Sequence, residues 1–461
     1  MAFEFGVAAG DLSASSVVLW TRVGPDEPID WVVESSDGSR RGSTHADADG
    51  FVHVALGALD PGMPHRYRFH TEAGGPSPWG RFRTLPSNGG IRFAVASCAK
   101  FNSGYFNAYA AIAERSDLDF VLHLGDFIYE AGQIPRGRQT PGIDIGREFE
   151  PRHDCVTFDD YSTRYAQYRR DPALRALSEA HGLLFTLDDH EIADNAWSGG
   201  AEEHLPEDGP WANRLHGALA AWERWQPTTR RPTGGGPLWQ QVRLGDVATL
   251  FLCETRLNRT DPNAPDGPGK SALGPTQRAE LLAAAEAGDD WFVLGMPSKL
   301  LSLQAARGHS DTDLVLTTLK LSASDGSPFR DRWDSYAGEQ STIVDALGKG
   351  PRRTVALCGD VHFAAFSEHG SLAECVTSSV TSPNFDDKMG WSGTTKSRPY
   401  EEKLVGLVPE MAWCDLDRHG FLVVDITAEK FTCEWWGVAS VVEPTSSATL
   451  LHTVTVHPTT H

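Results

Sequence analysis

No stretch of uncharged apolar residues in this 461-residue chain approaches the roughly 18 that a membrane span requires, which excludes a transmembrane helix. Positive charge is also scarce. The 41 Lys and Arg face 62 Asp and Glu, and the formal charge of −21 would repel a phosphate backbone unless cations are bound locally. Nucleic-acid binding by charge is thereby excluded. A disulfide framework is missing as well: the seven cysteines are scattered and odd in number, so at least one thiol is free or committed to chemistry. The opening Met1-Ala-Phe-Glu-Phe-Gly6 has neither a basic n-region nor an apolar h-region. The expectation is a cytoplasmic chain or one whose leader has been removed. Repeats, low-complexity tracts and heptads are absent. What remains, 40% hydrophobic and 22% charged residues, is the composition of an ordinary globular protein. Its length exceeds the roughly 250–300 residues at which one core stops growing, so at least two structural units are expected.

Short alternating segments fill residues 1–86: Val17–Trp20, Trp31–Val33, Phe51–Leu56, Tyr67–Phe69 and Gly80–Arg83. Their spacing predicts a β-sandwich. Leu59-Asp60-Pro61-Gly62 before Tyr67 looks like the tyrosine corner of fibronectin type III domains, where a Tyr hydroxyl ties a strand to upstream backbone. Pro86–Gly90 has linker composition. From residue 87 onward, apolar runs of four to six residues alternate with helical stretches, which predicts a largely parallel sheet covered by helices. Strands are expected at Phe93–Ala96, Phe120–Leu124, Leu183–Leu187, Val247–Cys253, Trp291–Leu294 and Val355–Cys358. Helices are expected at Ala108–Glu114, Tyr161–Ala180, Thr276–Ala287 and Ser341–Leu347, and a closing hairpin at Phe421–Ile426 and Phe431–Trp436.

Polar clusters follow four of these strands: Ser97-Cys98, Gly125-Asp126 to Tyr129-Glu130, Asp188-Asp189-His190-Glu191, and Gly359-Asp360-Val361-His362. Singly each is weak, since a Gly-Asp after a strand is usually a turn and a lone Cys usually core. Jointly they occupy the carboxyl ends of parallel strands, where open α/β sheets place their sites. A thiol, a phenol, carboxylates and an imidazole gathered in one cavity would repel and desolvate at a cost of several kcal/mol. A pair of metal ions would supply the missing positive charge.

The order Cys, Gly-Asp, Asp-His-Glu, Gly-Asp-x-His resembles the metallophosphoesterase superfamily. Cys98 in the first block, Asp189 for an Asn, Asp360 for a His, and Tyr129 three residues after Asp126 narrow the resemblance to its alkaline phosphatase D (PhoD-like) family. Phe5–Asp11, Val17–Arg22 and Arg418–Asp425 extend the likeness over nearly the whole chain. The resemblance implies an α/β fold with a layered αββα metallophosphoesterase core at 87–461 and a fibronectin-III-like β-sandwich at 1–86. The implied activity is metal-dependent hydrolysis of small-molecule phosphoesters, monoesters or diesters, by metal-activated water. Cys98, Asp126, Tyr129 and His362 are the implied ligands of Fe3+, with Asp126 bridging to a second site where Asp189 and Asp360 hold Ca2+. The ligand types agree, because thiolate and phenolate suit Fe3+ and carboxylates suit Ca2+.

His190 is the candidate general acid, or else an orienter of the carboxylates. Arg256 could fork onto a phosphate oxygen or lie at the surface. Asp194 and Asn195 could add ligands or cap a helix. Trp197, Trp211, Trp222 and Trp225 could rim a cleft or pack the core, and the tracts 140–155 and 261–269 have loop composition. The competing class is a non-enzymatic, metal-stabilised binding scaffold; oligomeric state is not encoded in any of these signals.

Overall fold

The computed structural model describes residues 3–134, 136, 141–288, 290–322 and 330–458, so Met1, Ala2 and Thr140 of the segments above lie outside the described residues. Among the described residues, three sheets organise the chain. The first runs in the order Ala448–Val456, Phe431–Val438, Gly420–Ile426, Ile91–Ala96, Phe120–His123, Leu183–Phe185, Val7–Gly10, Val17–Arg22, Phe51–Leu56. Its centre, from Ile91–Ala96 across to Val7–Gly10, is parallel, and both margins are antiparallel. The second is ordered Gln240–Leu244, Ala248–Leu252, Trp291–Ser298, Thr354–Gly359, Leu372–Val376, Ala364–His369, Met411–Asp415, again with a parallel centre. The six apolar runs expected to form one parallel sheet therefore divide three and three between two mixed sheets.

Strand periodicity explains the layering. Phe93 and Val95 face a core between the sheets, where they meet the layer of Leu250, Leu252, Val293, Val355 and Leu357. Ala94 and Ala96, one residue out of step, face the other way toward Tyr109, Ile112, Leu174 and Leu177 of helices Asn107–Ala113 and Pro172–Ala180. Helices Pro275–Glu286, Ser310–Thr318, Ala337–Lys349 and Arg398–Leu407 cover the outer face of the second sheet. The order of layers is helix, sheet, sheet, helix, as the αββα expectation requires. With both faces of each sheet buried, the central strands are apolar without alternation.

The amino-terminal segment contributes to two sheets. Pro28–Ser35, Gly38–His45, Pro64–Thr71 and Gly80–Arg83 form the third one with Gly75–Pro76, while Val7–Gly10, Val17–Arg22 and Phe51–Leu56 continue the first, Gly10 pairing with Leu183. Two local expectations are corrected. The Tyr67 ring is fully buried but its hydroxyl has no hydrogen-bond partner among the described residues, so no tyrosine corner forms. Its place is set by packing: a Cβ on Gly80 would lie 2.3 Å from the ring. The single helix expected at Tyr161–Ala180 is two, Phe158–Arg170 and Pro172–Ala180. Asp171 ends the first and caps the second, its carboxylate accepting from the N–H of Ala173 at 2.9 Å and Leu174 at 3.2 Å, with Pro172 at the first helical position. Among the described residues no helix is long and apolar enough to cross a membrane.

Candidate active site

Cys98 follows Ile91–Ala96, Asp126 follows Phe120–His123, and Asp189 and His190 follow Leu183–Phe185; Asp360 and His362 come from the other sheet, after Thr354–Gly359. Four of these residues leave the strand in left-handed backbone: Cys98 at φ 61°, Asp126 at 55°, Asp360 at 69° and His362 at 60°. Such geometry is uncommon for side chains with a Cβ and costs about 1–3 kcal/mol per residue, so surrounding contacts must hold it. Glu191 is one such contact. Its buried carboxylate accepts from the N–H of Asp126 at 3.0 Å, Phe127 at 2.6 Å and Asp188 at 2.8 Å, joining two strand-end loops.

The donor atoms of Cys98, Asp126 and His362 all lie within 4.8 Å of one another, and so do those of Asp126, Asp189 and His190. Asp126 is common to both groups. The Tyr129 hydroxyl donates to Asp126 Oδ2 at 2.9 Å, accepts from Ser382 Oγ at 2.5 Å and lies 3.5 Å from His362 Nε2. His362 Nδ1 is 3.2 Å from the Pro383 carbonyl; a proton there turns the Nε2 lone pair toward the cluster. Asp189 Oδ2 accepts from the Asn195 N–H at 2.6 Å, while its Oδ1 is buried without a hydrogen bond.

The electrostatics of the cluster fit a bound cation. Burial, then Asp126, raise the Cys98 thiol well above its usual range, and burial with Asp126 and Cys98 does the same to the Tyr129 phenol. Burial also raises Asp126, against the pull of His190. Burial thus disfavours the anionic form of all three groups, and a bound cation would favour it. His362 is pushed down by burial and by Lys388 and Arg332, which leaves the neutral imidazole that ligates metals. Together with Asp189 Oδ1, which has an ion pair at 3.6 Å but no hydrogen bond, this donor set suits a metal pair.

His190 is placed differently. Its Nδ1 is 2.7 Å from Glu130 Oε2, its Nε2 is 3.9 Å from Asp194 Oδ1, and its ring packs 4.0 Å from that of Tyr129. Burial opposes the imidazolium, but Glu130, Asp126 and Asp189 outweigh it and raise the pKa well above the usual value. Glu130 is itself fully buried and accepts the Asp194 N–H at 2.7 Å.

Three sequence expectations change. Arg256 does not reach the cavity: its guanidinium is fully buried, with Nε 2.5 Å from Asp188 Oδ1, Nη1 on Asp331 Oδ1 and Nη2 3.6 Å from Asp189 Oδ1. Neither the phosphate-facing nor the surface role fits, because carboxylates behind the site already take its donors. Asp360 lines the cavity, but its Oδ2 is held by Arg332 Nη1, and it belongs to neither donor group. No helix follows Asp194 and Asn195, which removes the cap reading; Asn195 instead fixes Asp189 through its backbone. Trp222 and Trp225 are core, Trp225 packed among Phe5, Trp20 and Phe51.

The sequence signals missed a set of cations. Lys100, Lys320, Arg332 and Lys388 all line the cavity that Asp126, Asp189, His190 and His362 share. Burial lowers Lys100 to about 8, and burial with Lys320, Arg332 and Lys100 lowers Lys388 to about 7. None lies in a motif, and only Lys100, two residues after Cys98, was near enough to one to be found.

Two facing mixed sheets between helices, with metal-donor groups at the strand ends and four cations lining the same cavity, are the architecture of a metal-dependent phosphoesterase. Residues 93–435 match the model of the PhoD-like phosphatase family, and residues 1–86 match that of the PhoD-like phosphatase N-terminal domain. The chain belongs to the PhoD-like phosphatase family. It is 28% identical over 486 residues to alkaline phosphatase D of Bacillus subtilis (strain 168), covering 96% of this chain and 78% of that protein. A solved structure described as the structure of PhoD superposes with a TM-score of 0.83 at 25% identity, over 99% of this chain and 90% of the other. The protein is thus a phosphoric ester hydrolase, and the scaffold alternative is set aside.

Proposed function

We propose that the cluster would hold Fe3+ and Ca2+, with Cys98, Asp126, Tyr129 and His362 serving the iron and Asp126 and Asp189 serving the calcium, joined by Asp360 once Arg332 lets it go. The observation that carries this reading is the sharing of Asp126 between the two groups. A soft thiolate and a phenol are gathered at one end and carboxylate oxygens at the other, which matches the preferences of the two ions. Bound there, the pair would lower the pKa of a water to give hydroxide and neutralise phosphoryl oxygens. The protein's own residues do the rest. Lys320, Arg332 and Lys388 bind and orient the phosphate, and Arg332 releases Asp360 as it does so. His190, held by Glu130 with its proton retained, gives that proton to the departing alkoxide oxygen from Nε2. The substrate is a small phosphoester, since a net charge of −21 disfavours a polyanion while the cations of this cavity accept a single phosphate.

Hydrolysis of nitrophenyl phosphate and bis-nitrophenyl phosphate, with and without chelator, tests the activity and ranks monoester against diester. A visible absorption band from thiolate or phenolate on iron, lost in Cys98→Ala, is expected. A colourless, iron-free and fully active preparation would overturn the metal assignment.

A further inference from the structure

The Cys98 sulfur and the Tyr129 oxygen each meet the hydroxyl of a buried serine. Ser97 Oγ lies 3.3 Å from Cys98 Sγ, and Ser382 Oγ donates to the Tyr129 oxygen at 2.5 Å. Both serines are at most 1% exposed, and among the described residues neither hydroxyl has another hydrogen-bond partner. Ser97 is confined by the facing sheet, where a Cβ on Gly359 would lie 2.5 Å from its Oγ. Ser382 is confined by its backbone: its N–H donates to the Cys98 carbonyl at 3.2 Å, and its own carbonyl accepts from Ser379 Oγ at 2.5 Å. The Val380 N–H donates to the Ser97 carbonyl at 2.9 Å, so one segment after Leu372–Val376 clasps both donor loops. The protons set the direction of each bond. A thiolate has none to give, so Ser97 is the donor once Cys98 ionises. Tyr129 gives its own proton to Asp126 Oδ2, and the bond it accepts from Ser382 needs no rearrangement when that proton leaves. Burial, Asp126 and Cys98 favour the neutral phenol, and the Ser382 hydroxyl opposes them; at the thiol, Ser97 opposes burial and Asp126 in the same way.

We propose that Ser97 and Ser382 are positioning residues that set how strongly the Cys98 thiolate and the Tyr129 phenolate donate to the iron, one hydroxyl to each anion. The inference rests on the iron assignment above and adds what tempers its two strongest donors. Each anion gives electron density to the ion, and that density weakens the pull of the ion on a phosphate or water oxygen. A hydrogen bond to the anion withdraws part of it, which is how hydrogen bonds around a metal-bound sulfur tune a site. The two serines thus keep a centre with a thiolate and a phenolate acidic enough to polarise its substrate.

The test reads the metal rather than turnover. The full chain is loaded with Fe3+, and resonance Raman excitation assigns its absorption bands to the Fe–S stretch or to the phenolate ring modes. In Ser382→Ala the phenolate band should move to longer wavelength while the thiolate band stays, and Ser97→Ala should do the reverse, because an anion without its hydrogen bond holds its electrons less tightly. Each loss should favour Fe3+ over Fe2+ by about tenfold, which lowers the midpoint potential by about 59 mV. Wild type loaded in D2O supplies a measurement that needs no variant to fold: the Fe–S and phenolate C–O stretches should both shift from their positions in H2O. Stretches that stay in place in D2O overturn the inference and leave the iron assignment standing. So do bands unmoved in the alanine variants, or both bands moving together in each. Iron-loaded wild type that shows neither band overturns the iron assignment and this inference with it.

Discussion

The two walls of the active-site cavity are built on different principles. The anionic wall, Cys98, Asp126, Asp189 and His190, comes from the ends of adjacent parallel strands and is fixed by buried carboxylates: Glu191 under the loops, Glu130 under His190. The cationic wall, Lys320, Arg332 and Lys388, comes from connections of the second sheet and is held by few bonds, Lys388 by one at 3.4 Å to the Thr318 carbonyl and Arg332 by Asp360 and the Lys320 carbonyl. The difference teaches a division of labour. Metal donors require sub-ångström placement and receive rigid backing, whereas groups that meet an incoming phosphate keep freedom to turn.

Breaking the anionic wall should have the largest effect. Asp126→Asn removes the ligand common to both donor groups, and metal content and hydrolysis should fall together to background; retention of both ions by mass spectrometry would show that the bridge is not essential. His190→Gln should slow alkyl phosphates by about 10²–10⁴-fold and nitrophenyl phosphate much less, since a good leaving group needs no proton. Equal losses on both would make His190 an orienter. Arg256→Leu tests the backing: it leaves the buried Asp188 uncompensated, while Asp331 keeps Arg259 at 2.8 Å, and should cost about 3–5 kcal/mol of stability in denaturant unfolding.

The cationic wall should respond more mildly. Arg332→Met should lower kcat/KM by about 10²–10³-fold, as removal of one charged donor to a transition state does, with metal content intact. The smallest effect concerns Lys388, lowered to about 7 by burial and its cationic neighbours. Its ammonium is present below that pH and is lost above it, so sulfate inhibition should weaken as pH rises through 7. Lys388→Met should remove this component, worth about tenfold, and show a flatter profile.

The anionic wall was legible in the sequence because each of its residues directly follows an apolar run, and a run plus a turn residue reports a strand end. His190 was visible for the same reason. The cationic wall was not, since Lys320 and Arg332 sit in loops and Lys388 in a five-residue helix, and their convergence depends on how the second sheet's connections cross. Arg256 was misread because its partner Asp331 is 75 residues away, and no local pattern reports that pairing. Apolar periodicity located the strands and helices, but it put the strands in one parallel sheet, and the two-sheet layering came only with the family resemblance. The union of Gly10 with Leu183 did not, because a four-residue apolar strand carries no sign of which sheet it will join.

The strand that ends at Cys98 is bordered on one side by Phe120–His123 and on the other by Gly420–Ile426. During synthesis the first neighbour arrives almost at once. The second is about 330 residues downstream, roughly 15–65 s at usual elongation rates. Until then the strand leading to the thiol of the site stands on an open edge, with unpaired N–H and C=O groups available to other nascent chains. Successful biogenesis of this enzyme therefore depends on shielding that edge until the carboxy-terminal hairpin closes it, and a chain cut short before residue 420 would be prone to aggregate as well as inactive.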